Sequence, residues 1–257
     1  MIKIFRSEEQ DQFFKLIQKH IENPDAPLLL EGATGLGKTL PFLAAAAASG
    51  KKVAIVFPTH QLINQALDSW DLKTTLAAYP SVTVKAFRPR SYFEASPADY
   101  AAQKEEALDA DIMFCTSVSV IIDQRLRGDY NGSTDRDVII FDEADQLPQF
   151  AALASDISLS RTDLRSLRIN EPSPKETIAA IFKKKTVPSE IKAKASLIEE
   201  ALGLGDVWFI TVGFADDGAL EVRSRLPGRL LKRVSNRAST IFISATLSVN
   251  GTFKDFC

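Results

Sequence analysis

Residues Glu31-Gly32-Ala33-Thr34-Gly35-Leu36-Gly37-Lys38-Thr39 constrain this chain more than any other stretch. They fit G-x-x-x-x-G-K-[ST], the pattern of a loop whose backbone N–H groups wrap around nucleotide phosphates. Glycines let the backbone approach a ligand without a Cβ in the way. Gly32, Ala33, Thr34, Gly35, Leu36 and Gly37 are the cradle. Lys38 is placed for the β- and γ-phosphates, and Thr39 for a hydroxyl on Mg²⁺. The context matches the demand of the motif. Leu28-Leu29-Leu30 reads as a buried strand before the loop, and Thr39 to Ser49 as an Ala-rich helix after it. Pro41 falls in the first helical turn, where a missing N–H costs little.

A second element completes the chemistry. Val138-Ile139-Ile140-Phe141 reads as a buried strand with Asp142-Glu143-Ala144-Asp145 at its C-terminal end. In parallel α/β sheets, ligands bind beyond those carboxyl ends. Asp142 is expected to hold Mg²⁺, as a Walker B acid does. Glu143 is expected to orient and deprotonate the attacking water.

Between and around these lie further strands. Val53 to Phe57, Val82 to Phe87, Asp111 to Thr116 and Thr240 to Leu247 are apolar or alternating runs bounded by turn signals. Residues 6 to 22 read as an amphipathic helix capped by Ser7. Arg6 and Gln10 lie just upstream of the loop strand, and Gln10 is either an adenine-reading amide or part of a solvated helix surface. Pro58 and Thr59 mark a strand end and a helix start. They form either a plain turn with a Thr cap or a site for a nucleic-acid phosphate, with Gln65 on the same helix. Arg88 to Glu94 interleave basic and aromatic residues, with Arg90 and Tyr92 suited to backbone contact and base stacking. An ordinary loop is the alternative. Gly128 to Arg136 reads as a surface turn, tightest at Asn131-Gly132.

Residues 151 to 226 differ in texture. Short helices over Asp163 to Arg168, Lys175 to Lys185 and Glu190 to Leu202 are punctuated by Pro172, Pro174 and Pro188. Val207 to Val212 and Ala219 to Val222 are placed to pair as a hairpin. From Arg223 to Lys254 there is no acidic residue, and Arg223, Arg225, Arg229, Lys232, Arg233 and Arg237 form the dense basic stretch, either a phosphate-facing patch or a solvated helix face. The expected organisation is a core of residues 1–150, a mainly helical insertion over 151–226, and a return to the core over 227–257.

Composition excludes little. A net charge of -2 over 257 residues puts any nucleic-acid surface in a local patch. No apolar run approaches ~18 residues, so no membrane partner is expected. Two cysteines, Cys115 and Cys257, are too few for a disulfide framework. A reducing cytoplasm is the expected location.

The order of elements resembles that of superfamily 2 helicases. The phosphate loop, Pro58-Thr59-x-x-Leu62-x-x-Gln65, Asp142-Glu143-Ala144-Asp145 and Ser244-Ala245-Thr246 are similar to their motifs I, Ia, II and III. The loop sequence and the insertion after motif II resemble the DinG/XPD group. Arg6 and Gln10 resemble that group's adenine element, one residue further apart. The resemblance implies an α/β RecA-like P-loop NTPase lobe with a parallel central sheet. It implies ATP and Mg²⁺ as cofactors and ATP-driven movement on single-stranded or forked DNA. Ser244 and Thr246 would couple the two sites. A second RecA-like lobe of the same protein, carrying an arginine finger, would complete the engine. This chain departs from the group in two places. Glu94 stands where the first of four cluster cysteines would be, so no iron–sulfur cluster is expected. Motif II ends in Asp145 rather than His. CRISPR-associated DinG-like helicases also lack the cluster, which adds a CRISPR effector complex to the possible partners. An ATP-gated nucleic-acid-binding module, without duplex unwinding, is the alternative function.

Overall fold

The structure, a computed structural model, describes residues 4–89, 97–125, 131–155, 157–204, 210–224, 228–236 and 238–247. Two compact units emerge: residues 1–150 with 230–257, and residues 151–229.

The first unit is built on strands β1 (Leu28–Glu31), β2 (Val53–Phe57), β3 (Val84–Ala86), β4 (Ile112–Thr116), β5 (Val138–Phe141) and β9 (Ser239–Ser244). All pair in parallel, in the order β1-β9-β5-β2-β4-β3. Continuous apolar sequence explains the two-sided burial, because helices cover both faces of a parallel sheet. Val53, Ile55, Phe114, Ile140 and Ile243 point into one core, and Ala54, Val56, Met113, Ile139 and Phe141 into the other. The first core is closed by helices α1 (Glu8–Glu22), α2 (Thr39–Ala48), α3 (His60–Asp68) and α4 (Trp70–Ala78). The second is closed by residues of α5 (Pro97–Asp109), α6 (Ser117–Arg125), α7 (Leu147–Ser155) and α11 (Gly228–Ser235). In α1, Phe13, Phe14, Ile17 and Ile21 recur at helical spacing and are buried, and Ser7 accepts from the Gln10 N–H as the cap.

Residues 131–136 correct an expectation. They are not a surface turn: Asn131, Ser133, Thr134 and Arg136 are buried. The cause is Asp123, a fully buried carboxylate on α6. It accepts from the N–H groups of Asn131, Gly132 and Thr134 at 2.7–2.9 Å and from the hydroxyls of Ser133 and Thr134. A buried carboxylate needs such donors, and it pulls the turn inward to obtain them.

The second unit has an antiparallel sheet of order β6-β8-β7, from β6 (Ile157–Leu159), β7 (Ile210–Phe214) and β8 (Leu220–Ser224). Helices α8 (Arg161–Ser166), α9 (Pro174–Lys183) and α10 (Ser189–Leu204) share its core of Leu159, Ile181, Ile198, Leu220 and Val222. Ser160 and Asp163 form a reciprocal capping box at α8. Ser173 caps α9, with Pro174 at its first position. The hairpin expected from Val207 to Val212 and Ala219 to Val222 is present as β7 and β8, with residues 207–209 outside the described residues, and β6 adds a strand that was not anticipated.

Candidate functional site

Strand order decides what the loops can do together. β9 lies between β1 and β5, so Ser244 at the end of β9 sits between the phosphate loop and the acidic turn. The Gly32 N–H donates to the Ser244 carbonyl at 3.0 Å, carrying the ladder past the end of β1. The loop then turns through Gly35 (φ 83°) and Gly37 (φ 71°), both in the left-handed region. Lys38 folds back and donates from Nζ to the Gly32 carbonyl at 3.1 Å. A Cβ at Gly32 would lie 3.0 Å from Lys38 Cδ and 3.1 Å from Leu36 Cδ2, so any side chain there would crowd the lysine stem. Thr39 opens α2, whose N-terminus no side chain caps among the described residues. Free helical N–H groups and the positive end of the helix dipole favour an anion there.

Gln10 serves the loop itself. It is 4% exposed, and its Nε2 donates to the carbonyls of Leu36 and Gly37 at 2.9 and 3.1 Å. Its Oε1 accepts from the Arg6 N–H at 2.9 Å. Both Nε2 hydrogens of the amide expected to read adenine are thus engaged by the phosphate loop in this structure. The Arg6 guanidinium stands over the Trp70 ring, 4.1 Å from its centroid.

The acidic turn has its own geometry. Asp142 follows β5 and donates its N–H to the Val56 carbonyl at 2.9 Å. Glu143 adopts φ 49°, a left-handed conformation costly for a residue with a Cβ. Asp145 receives two bonds from the end of the neighbouring strand β9: Ser244 Oγ donates to Oδ1 at 2.6 Å and Thr246 Oγ1 to Oδ2 at 2.9 Å. Ser244 Oγ also lies 3.5 Å from Glu143 Oε2. Asp145 was absent from the expected site residues, yet it is where the hydroxyls of Ser244 and Thr246 converge. Only pairing β9 against β5 reveals it.

Burial, with Glu143 alongside, pushes the Asp142 carboxyl up to about 7, and Lys38 opposes the shift. Crowded acids beside one lysine are what a divalent cation would relieve. Among the described residues no group of three or more His, Cys, Asp or Glu could hold a metal by itself. Thr39 and Asp142 are the residues that could hold Mg²⁺ beside a bound nucleotide. Cys115 lies buried within β4, its thiol pushed up by burial.

A second surface surrounds the start of α3. Thr59 is exposed and caps the helix, its hydroxyl accepting from the Leu62 N–H at 3.3 Å. That oxygen keeps its own proton to donate. Gln65 is exposed on the same helix, whereas Pro58 is buried. Beneath them Arg88, 7% exposed, donates from Nη2 to Asn64 Oδ1 and places Nη1 3.1 Å from His60 Nδ1. Burial and Arg88 together lower the His60 pKa, favouring neutral imidazole. This brace was not foreseen from the sequence. Arg90 and Tyr92 lie outside the described residues. Of the basic stretch, Arg223 pairs with Glu221 at 2.6 Å, and Arg225 and Arg237 lie outside the described residues.

Fold and site together define a superfamily 2 helicase-type domain with a P-loop nucleotide site. The sequence model of a family described as "Type III restriction enzyme, res subunit" (ResIII) matches residues 4–157. The chain belongs to that family. No curated protein matches it by sequence. Among solved structures it resembles one titled "XPD_Helicase", with a TM-score of 0.58 at 16% identity, covering 96% of this chain and 59% of that one. "Truncated XPD" superposes with a TM-score of 0.58 at 16% identity, over 95% of this chain and 94% of that one. "Structure of S. tokodaii Xpd4" gives 0.52 at 16% identity, over 96% and 59%. The common fold is the α/β RecA-like architecture. The chain spans 59% of the length of the XPD helicase chain it resembles.

Proposed function

We propose that this chain is the ATP-binding lobe of a DinG-type translocase that hydrolyses ATP to move along single-stranded DNA. The observation that carries the reading is the Asp145 clasp. One carboxylate from the acidic turn holds the hydroxyls of Ser244, which ends β9, and Thr246, which follows it, and β9 also anchors the phosphate loop through Gly32.

In this reading the loop amides and Lys38 neutralise the triphosphate. Thr39 and Asp142 would hold Mg²⁺, which would supply positive charge beside the triphosphate. Glu143 takes the proton from the attacking water. Nucleotide-dependent movement of the acidic turn pulls on Ser244 and Thr246 through Asp145, linking hydrolysis to the strand site. Thr59, Gln65, Arg90 and Tyr92 contact the DNA. A second RecA-like lobe supplies an arginine to the transferring phosphoryl group, a contribution of about 10³-fold or more in rate.

Steady-state ATP turnover, with and without single-stranded DNA, tests this in a protein that includes the second lobe. DNA stimulation that persists in Asp145→Ala would remove the clasp from its coupling role. Its loss, with Mg-ATP affinity retained, is the expected result.

A further inference from the structure

The second unit contains a cavity of ≈ 730 Å³ that the proposed chemistry leaves unused. Arg161, Arg165 and Arg168 line it, with Thr177 and Phe214. Arg161 and Arg165 are one turn apart on α8 and share a face. Among the described residues none of the three guanidiniums forms an ion pair. Glu171 and Asp216 also border the cavity and limit its net positive charge.

Two details go beyond a basic surface. Arg168 adopts φ 53° just past the end of α8. Its N–H donates to the Arg165 carbonyl at 2.9 Å, and the Ile169 N–H to the Leu164 carbonyl at 3.0 Å. That closure puts a left-handed residue where glycine is least costly. An arginine there is strained, and it lines the cavity. Thr177, also lining it, is 1% exposed, and its Oγ1 has no hydrogen-bond partner among the described residues. A buried hydroxyl without a partner is uncommon in folded proteins and gives this wall of the cavity a polar atom.

We propose that this cavity binds a phosphate of a single-stranded nucleic acid, with the neighbouring base on Phe214. Guanidinium forks match phosphate oxygens in pairs. Phe214 is 41% exposed at the rim. An aromatic ring beside a charged groove is how proteins hold single strands without reading sequence. The choice of a strand over a free anion rests on the translocase reading. The cavity itself has no part in nucleotide chemistry, so it is tested without ATP.

The test is fluorescence anisotropy of a labelled oligothymidylate on the 1–257 chain over a range of salt. Arg165→Ala/Arg168→Ala is expected to weaken binding about tenfold and to flatten the slope of log K against log salt by about 0.7 for each phosphate no longer neutralised. Phe214→Ala is expected to weaken binding at least ~5-fold with the slope unchanged. Arg168→Gly relieves the backbone, so it raises Tm while lowering strand affinity, which a purely structural residue would not do. Wild-type affinity and slope in folded Arg168→Gly overturn the proposal. So does calorimetric binding of inorganic phosphate that the double variant abolishes while strand affinity stays intact, since the site then belongs to a free anion. Loss of ATP binding in Lys38→Ala, with strand binding by this cavity preserved, separates the two readings.

Discussion

The two units of this chain put chemistry in place by different means. In the first, every proposed catalytic group follows a strand of one parallel sheet, and adjacency of β1, β9 and β5 brings them together. In the second, the suggestive residues are exposed arginines on a short helix and the turn after it, over a small antiparallel sheet. A strand end fixes a side chain from both sides of a buried core. A helix face offers charge but leaves position to side-chain rotamers. The contrast predicts that core substitutions affect turnover or global stability, whereas substitutions in the second unit act locally.

The largest expected effect is on chemistry. Glu143→Gln in a protein with both lobes should lower ATP turnover by about 10²-fold or more while Mg-ATP still binds, because only the proposed general base is lost. Turnover near wild type would break the contrast at its strongest point. Next is Asp123→Ala, which strands the N–H groups of Asn131, Gly132 and Thr134, the first and last of them buried. It should cost about 3 kcal/mol or more in urea unfolding, given the penalty for each orphaned donor. A smaller change is Ser160→Ala, which removes the capping box of α8. It should cost about 1 kcal/mol, with Mg-ATP affinity unchanged. A tenfold loss of that affinity would show that the second unit is not energetically separate.

The smallest effect concerns pH. Bonds from the Thr83 N–H and hydroxyl, with Lys52 nearby, hold the Asp111 carboxyl down at about 2 from 3.8. A folded pKa below the unfolded one gives stability that is present above pH 3.8 and lost as pH falls towards 2. The group is substantially exposed, so solvent screens the gain. Asp111→Asn should therefore lower the urea midpoint slightly near neutrality, by an amount that shrinks below pH 3.8. Carboxyl NMR titration reads the same shift directly.

Much of the core was legible because its signals are local. Val53 to Phe57 and Val138 to Phe141 are short unbroken apolar runs between turn signals, and they became buried parallel strands. Gly32 to Thr39 carries its own motif. What escaped was non-local. Asp145 meets Ser244 and Thr246 about a hundred residues along the chain. Gln10 finds the loop carbonyls through folding of α1 over it. Helix α4 went unread, since Trp70 to Ala78 mixes exposed and buried apolar residues without a clear stripe. The buried turn at 131–136 looked polar, and only Asp123, on the preceding helix α6, makes that polarity at home inside. The three arginines of the second unit carry no motif. Their grouping depends on the left-handed turn at Arg168 and on the hairpin that brings Phe214 beside them.

The central claim is a triphosphate pocket formed by the Gly32–Thr39 loop and the acids after β5. Isothermal calorimetry of Mg-ATP with folded 1–257 chain tests it most directly. The account predicts saturable heat at one site per chain, abolished by Lys38→Ala in protein of unchanged fold. No heat from the wild type, or equal affinity in Lys38→Ala, would contradict it.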